Sequence, residues 1–259
     1  MVVGPKKSLG QHWLKDRDVL VGIAEAAEIK AEDTVLEIGP GLGTLTSELL
    51  RRAKRVIAVE LDQDLAAKLP GQFPGKNLEV VNEDILTFDL TKLPKDYVVA
   101  ANVPYYITSK IVKYLMTSTN KPRTVVLLVQ KEVAQRLAAE PGDMSILAIS
   151  AQAYSDVHLE DLVPASFFTP PPKVDSQVVV LHSHDSPFRD EAHEKLFFRI
   201  VKAGFSAKRK KLRTSIASGL HISKEEGEAL LKSAGINPDD RAEVLSVADW
   251  LRLVEVSEK

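Results

Sequence analysis

Thr34-Val35-Leu36-Glu37-Ile38-Gly39-Pro40-Gly41-Leu42-Gly43 runs directly into Thr44-Leu45-Thr46-Ser47-Glu48-Leu49-Leu50. A β-rich apolar run, a glycine-rich turn and a helical pattern form the first strand, loop and helix of a nucleotide-binding α/β unit. The glycines let the backbone approach a ligand closely, and the helix start offers free N–H groups. A second apolar run, Arg55 to Glu60, ends in an acid 21 positions after Gly39. A carboxylate at that place can accept hydrogen bonds from both hydroxyls of a ribose.

Two ligand classes share this arrangement, and spacing separates them. The dinucleotide fingerprint G-x-G-x-x-G, counted from Gly39, requires glycine at 44, where Thr44 stands. The chain instead shows E-x-G-x-G-x-G through Glu37, Gly39, Gly41 and Gly43, the spacing associated with S-adenosylmethionine. That cofactor has no pyrophosphate to cradle, so the strict glycine at the helix start is not needed.

Working outward, Leu78 to Val81 reads as a third strand leading into Asn82-Glu83-Asp84-Ile85. Asp84 could reach an adenine amino group with Ile85 packing on the ring; a polar strand end is an equal alternative. Tyr97 to Ala101 reads as a fourth, buried strand ending in Asn102-Val103-Pro104-Tyr105. The Asn102 oxygen and a backbone carbonyl can each accept from an NH2 group, and the Tyr105 ring can stack on a base. Alone, the tetrapeptide reads better as a polar turn after a strand. Helices are expected over 16–28, with Asp16 as N-cap, and over 109–116, 132–139 and 144–154; Thr124 to Val129 is a fifth strand.

His158 to Val163 and Val174 to Leu181 read as two closing strands. Between them Phe167-Phe168-Thr169-Pro170-Pro171-Pro172-Lys173 makes a stiff loop, either the far wall of a base pocket or a rigid connector. The remainder carries helical patterns only, over 191–204, 208–219, 224–234 and 247–254, with Gly235 and Asn237-Pro238 at helix ends. The expected organisation is an α/β, Rossmann-like methyltransferase domain over residues 1–185 and a small all-α domain over 186–259. Arg199, Lys202, Lys208, Arg209, Lys210, Lys211 and Arg213 fall in one stretch without an acid, which suggests contact with a phosphate backbone.

Composition excludes several functions. The chain has 259 residues, 44% apolar and 27% charged, so it can bury a substantial core. The net charge of −2 means that nucleic acid must be met by a local patch. There are no cysteines, which removes disulfides, thiolate catalysis and Cys-based zinc sites; the six scattered histidines complete no metal spacing. No run approaches the ~18 apolar residues of a membrane span, and MVVGPKKSLGQ lacks a signal-peptide core. A soluble, cytoplasmic, monomeric protein is expected.

With these stretches in order, the chain resembles the ribosomal RNA adenine N6,N6-dimethyltransferases from about residue 6 to residue 255. The resemblance rests on Lys7 to Leu14, Glu37 to Gly43, Glu60-Leu61-Asp62, Glu83-Asp84-Ile85, Asn102 to Tyr105, Phe168 to Ser176 and Phe205 to Leu212. It implies S-adenosylmethionine as cofactor, held by His12, Leu14, Gly39, Glu60, Asp84 and Asn102. It also implies that Asn102, the Pro104 carbonyl and Tyr105 hold the target adenine, with Phe168 as stacking partner. The implied reaction is methylation of N6 on two adjacent adenines near the 3′ end of small-subunit rRNA, with immature small subunits as partner. The chain departs from the pattern at Trp13, where Phe is more usual, at Tyr106, where Asn is common, and at Thr214 and Ser215, where the tail motif often carries Asn. Three alternatives are a large-subunit rRNA adenine methyltransferase of the resistance type, a dinucleotide-dependent oxidoreductase and a non-catalytic ribosome-assembly factor. The Phe-Thr-Pro-Pro-Pro loop and the basic helix favour the small subunit. Thr44 and the lack of a hydride-transfer acid or base disfavour the oxidoreductase.

Overall fold

The β-branched runs form strands in a computed structural model that describes residues 4, 6 and 10–258. The elements that build the site are β1 (Trp13–Leu14), α1 (Arg17–Ala26), β2 (Thr34–Ile38), α2 (Thr44–Leu49), β3 (Arg55–Val59), α3 (Gln63–Gln72), β4 (Leu78–Val81), β5 (Val98–Asn102), α4 (Thr108–Met116) and β6 (Thr124–Gln130). They are followed by α5 (Lys131–Leu137), α6 (Ile146–Gln152), β7 (Ser155–Val163), β8 (Phe168–Thr169) and β9 (Ser176–Ser183). The chain divides into two compact units, residues 1–135 with 155–184, and residues 136–154 with 185–259.

The first unit is built on a seven-stranded sheet of order β4-β3-β2-β5-β6-β9-β7, with β2 to β6 parallel and β9 antiparallel to both neighbours. Parallel strands must be covered on both faces, and these are: Val35, Val56, Val98, Val126 and Val180 pack with Leu20, Ile23, Leu45 and Leu49 of α1 and α2. Leu36, Ile57, Val99 and Leu127, one residue on in each strand, are buried as well. Asp16 caps α1 as its position suggests, accepting from the Val19 N–H. The order of the chain through the sheet reverses between β2 and β5, so the helices there diverge and a crevice opens at the strand C-termini.

Helix α3 and strands β1 and β8 were not foreseen. Helix α3 contains Pro70 and Gly71, and its buried Leu65, Ala66 and Leu69 hold it in place. The two-residue strands β1 and β8 pair antiparallel, Leu14 opposite Phe168 and Trp13 opposite Thr169. Lys7, Ser8 and Leu9 of the lead-in lie outside the described residues.

The second unit is helical: α6 together with α7 (Glu191–Phe205), α8 (Leu212–Leu220), α9 (Lys224–Ser233) and α10 (Val247–Ser257). Ser223 with Glu226 and Ser246 with Asp249 form capping boxes at α9 and α10. Glycines set the close helix contacts. A Cβ on Gly219 would fall 2.5 Å from the Ala203 Cα, and one on Gly204 would fall 2.2 Å from the Trp250 ring. The unit takes in residues 136–154, which differs from a single boundary at 185. The Gly142 and Met144 N–H groups donate to the Glu243 carbonyl, and the Tyr154 hydroxyl bonds Glu194. Among the described residues, no helix is long and apolar enough to cross a membrane.

Candidate active site

Polar groups stand at or close to the strand ends along the crevice, where the ladder stops and leaves backbone and side chains free for other partners. β2 delivers Glu37 and the Gly39 loop, β3 delivers Glu60, the turn after β4 delivers Asp84 and Ile85, and β5 delivers Asn102. All line one pocket, together with His12, Leu14, Gly41, Pro104 and Tyr105. The lead-in forms a wall of this pocket. It is fastened by the Thr44 hydroxyl donating to the Leu14 carbonyl (3.1 Å), by the His12 ring bonding the Pro170 carbonyl (2.7 Å) and by β1–β8 pairing. A carbonyl can only accept, so His12 Nδ1 carries a proton. Upstream, Lys6 pairs with Asp62 and Asp64, and Gln11 bonds Asp62. Burial alone would raise the Asp62 carboxyl, but bonds from Lys6, Gln11 and the Asp64 N–H outweigh it and hold it low.

The glycines divide in role. Gly39, Gly41 and Gly43 all have positive φ (+66°, +57° and +80°), which any side chain would strain. At Gly39 an added Cβ would meet no atom within 4 Å, so its missing side chain leaves open space on the pocket wall. At Gly43 a Cβ would lie 2.7 Å from Leu69 and 3.0 Å from Phe73 of the α3 region. Gly43 does not line the pocket and serves packing of α2 on α3, which corrects its expected cofactor contact.

The two acids behave differently. Glu60 is 5% exposed; one oxygen accepts from the Gly41 N–H (3.0 Å) and the other from the Asp62 N–H (2.9 Å). Burial raises its carboxyl against the pull of these N–H groups. Each oxygen keeps a lone pair, so the carboxylate can still receive two neighbouring hydroxyls. Glu37 is 1% exposed and accepts from the Thr46 hydroxyl at 2.6 Å. Burial pushes its carboxyl up to about 8, with the Glu60 charge adding to the rise and Thr46 opposing it. Glu37 is thus mostly protonated at neutral pH and ties β2 to α2 rather than supplying charge.

Asn102 is oriented by its surroundings. Its Nδ2 donates to the His12 carbonyl at 3.1 Å, which fixes the side-chain oxygen as the group left to accept. The Pro104 carbonyl already accepts from the Ile107 N–H at 3.2 Å and has one lone pair remaining. Tyr105 is more committed than its sequence position suggested. Its ring lies parallel to His12 at 5.7 Å and its hydroxyl bonds Ser176 at 2.8 Å. Burial raises the Tyr105 hydroxyl and the Ser176 bond partly offsets this. Phe168 is not the opposite wall. It is 3% exposed and packs in the core from β8, since pairing with β1 turns its ring inward; the loop instead exposes Phe167.

In the second unit, Lys208, Arg209, Lys210 and Lys211 occupy the exposed turn between α7 and α8. The charge run is compensated in part by residues distant in sequence. Lys211 pairs with Asp239 (3.2 Å), and Arg213 with Asp239 (3.1 Å) and Glu228 (3.8 Å). Lys208, Arg209 and Lys210 have no ion pair among the described residues. Among the described residues no His, Asp or Glu cluster could hold a metal.

The pocket's donor set fits S-adenosylmethionine: a buried two-oxygen acceptor at Glu60, open space at Gly39, and an acid with an apolar neighbour at Asp84 and Ile85. The family model described as ribosomal RNA adenine dimethylase matches residues 4–259. A ribosomal RNA small subunit methyltransferase A of Dehalococcoides mccartyi is 44% identical over 96% of this chain and 87% of its own length. One of Clostridium botulinum is 41% identical over 95% and 92%. Among solved structures, a dimethyladenosine transferase from Plasmodium falciparum (TM-score 0.83) and the 23S rRNA methyltransferase ErmE (0.78) are each 30% identical over 95% of this chain and cover 98% and 100% of their own chains.

Proposed function

The chain belongs to the ribosomal RNA adenine dimethylase family, and from that premise we propose that its pocket methylates N6 of two adjacent adenines near the 3′ end of small-subunit rRNA. It is an S-adenosylmethionine-dependent methyltransferase. When bound, the cofactor supplies a methyl group carried on a sulfonium centre. Glu60 holds the ribose hydroxyls, Asp84 and Ile85 hold the adenine of the cofactor, and Gly39, Gly41, His12 and Leu14 line the rest of its path.

The protein's part in the chemistry is positioning and electrostatics. The N6 lone pair of the target is delocalised into its ring. Acceptance of the two N6–H groups by the Asn102 oxygen and the free lone pair of the Pro104 carbonyl favours a more tetrahedral nitrogen. It also offsets the positive charge that develops there. Once methylated, the nitrogen is acidic enough to lose its proton to water, so no strong base is required of the chain. His12 holds both the Asn102 amide and the Tyr105 ring, which preorganises the acceptors before substrate arrives. Lys208, Arg209 and Lys210 supply phosphate contacts that do not depend on sequence.

The observation that carries this reading is the Asn102 amide, locked at one end and presenting an acceptor at the mouth of a pocket that also holds Glu60. The small subunit is favoured over the large by the curated relatives, which are 41–44% identical against 30% for the 23S enzyme. A free, monomeric chain working in the cytoplasm on immature subunits completes the proposal. Incubation with methyl donor and unmodified small or large subunits, followed by mass spectrometry of rRNA nucleosides, tests it. N6,N6-dimethyladenosine should appear in the small-subunit RNA; its appearance only in large-subunit RNA would move the reading to the resistance-type reaction.

A further inference from the structure

Two tyrosines follow Pro104, and the fold treats them in opposite ways. Residues 105–107 form a single 3-10 turn, in which successive side chains project about 120° apart. Tyr105 is drawn inward onto His12 and Ser176. Tyr106 is sent outward and is 61% exposed, yet it lines the mouth of the same pocket. Its ring is supported without being covered: a Cβ placed on Gly10 would lie 3.4 Å from Tyr106 Cδ1. A large aromatic face held at the rim of a base pocket, and left open to water, can stack on a further base.

We propose that Tyr106 stacks on the nucleotide adjacent to the adenine held in the pocket, and so positions the pair of target adenines. The inference rests on the rRNA-methylating reading of the pocket and extends it to a second nucleotide. An adenine extruded from its stack leaves a bare face on its neighbour. Tyr106 covers that face while Asn102 and Pro104 hold the target. Lys110, exposed in the first turn of α4 and without an ion pair among the described residues, supplies charge for the phosphate such a nucleotide carries. Because the neighbour is the other target, the same contact keeps the strand engaged while the two adenines exchange places.

The test compares wild type with Tyr106→Ala, Tyr106→Phe and Tyr106→Trp on small-subunit RNA in which the neighbouring nucleotide is adenine or abasic. KM and kcat are read by nucleoside mass spectrometry, and cofactor affinity by calorimetry. Tyr106→Ala should raise KM for RNA about 5- to 150-fold, the range of one base–aromatic stack, with cofactor affinity unchanged. Phe and Trp should restore it. The abasic RNA should cost wild type as much as the alanine variant loses, and should cost the alanine variant little more. Product should shift from doubly toward singly modified RNA. Additive effects of the two changes, an unchanged KM, or a loss of cofactor affinity matching the loss of activity would each overturn the proposal; the last would assign Tyr106 to support of the Gly10 wall. A KM effect on assembled subunits but not on naked RNA would assign the ring to a protein partner and also overturn it. If wild type methylates neither rRNA, the parent reading falls first and this one with it.

Discussion

The pocket at the strand ends and the turn between α7 and α8 both concentrate polar chemistry, but they do so by opposite means. In the pocket the polar side chains are tied: buried Glu60 to two backbone N–H groups, half-buried Asn102 to the His12 carbonyl, buried Glu37 to Thr46. In the turn the cations are exposed, and among the described residues only Lys211 of the four is ion-paired; Arg213, half-buried in the first turn of α8, is paired as well. Fixed groups in a dry site act through geometry, so one misplaced atom is expensive. Mobile groups in water act through summed charge, so each contributes a little and salt erodes them all. The contrast predicts that the two regions will fail differently when changed.

The largest expected effect is at Asn102. Asn102→Ala should lower kcat by about 10²- to 10³-fold, as loss of one preorganised transition-state partner does. Melting temperature and RNA affinity should stay near wild type. Rapid turnover by this variant in a labelled-methyl assay would break the distinction at its root. Next is Glu60→Ala, which removes a charge-assisted acceptor for the ribose. Calorimetry should show cofactor affinity weakened about 10- to 150-fold, with RNA binding untouched.

The turn should respond more gently. Replacing Lys208, Arg209 and Lys210 together by Ala should flatten the dependence of log affinity for rRNA on log salt by about 2–3, with kcat and cofactor affinity unchanged. Replacing Lys211 and Arg213 should flatten it by less than 2, because Asp239 and Glu228 already neutralise them. Equal loss per residue in the two sets would show that those ion pairs open on RNA binding.

The remaining effect is one of stability and leaves the pocket's chemistry aside. The folded Glu37 carboxyl sits near 8 against an ordinary 4.5, so the native state holds a proton that the unfolded chain releases. Stability should therefore fall as pH rises from about 4.5 to about 8 and then level off, by on the order of a few kcal/mol. Glu37→Gln keeps the buried shape without that loss. Its melting temperature should exceed wild type above pH 8, and the gap should close toward pH 5. A gap independent of pH would mean that Glu37 is ionised in the fold.

Local patterns made much of the sheet legible. Leu78–Val81 was read to the residue, and the other parallel strands to within one, because each is a short β-branched run bounded by turn residues. The pocket loop was legible because glycine and a terminal acid carry backbone and charge information directly. What escaped was set by distance along the chain. Nothing near Lys211 announces Asp239, nothing near Gly43 announces Leu69, and the two-residue strands β1 and β8 are too short to show periodicity. The same cause misplaced Phe168: its neighbours suggested a stiff loop tip, while its pairing opposite Leu14 decides that it faces the core. Tyr105 likewise could not show locally that His12 and Ser176 would claim it.

The wall made by the lead-in has a kinetic consequence. His12 meets Pro170 across 158 residues, so that contact costs more loop-closure entropy than the local pairs that build β2 to β4. Contacts of such separation form late, and a pairing of only two residues per strand opens readily in native fluctuations. Asn102 depends on the His12 carbonyl for its orientation, so the acceptor geometry is completed after the sheet that carries it. A folding chain should therefore show a protected sheet before it can hold its target base. Hydrogen exchange should find the amides of residues 12–14 and 168–169 among the least protected in the first unit.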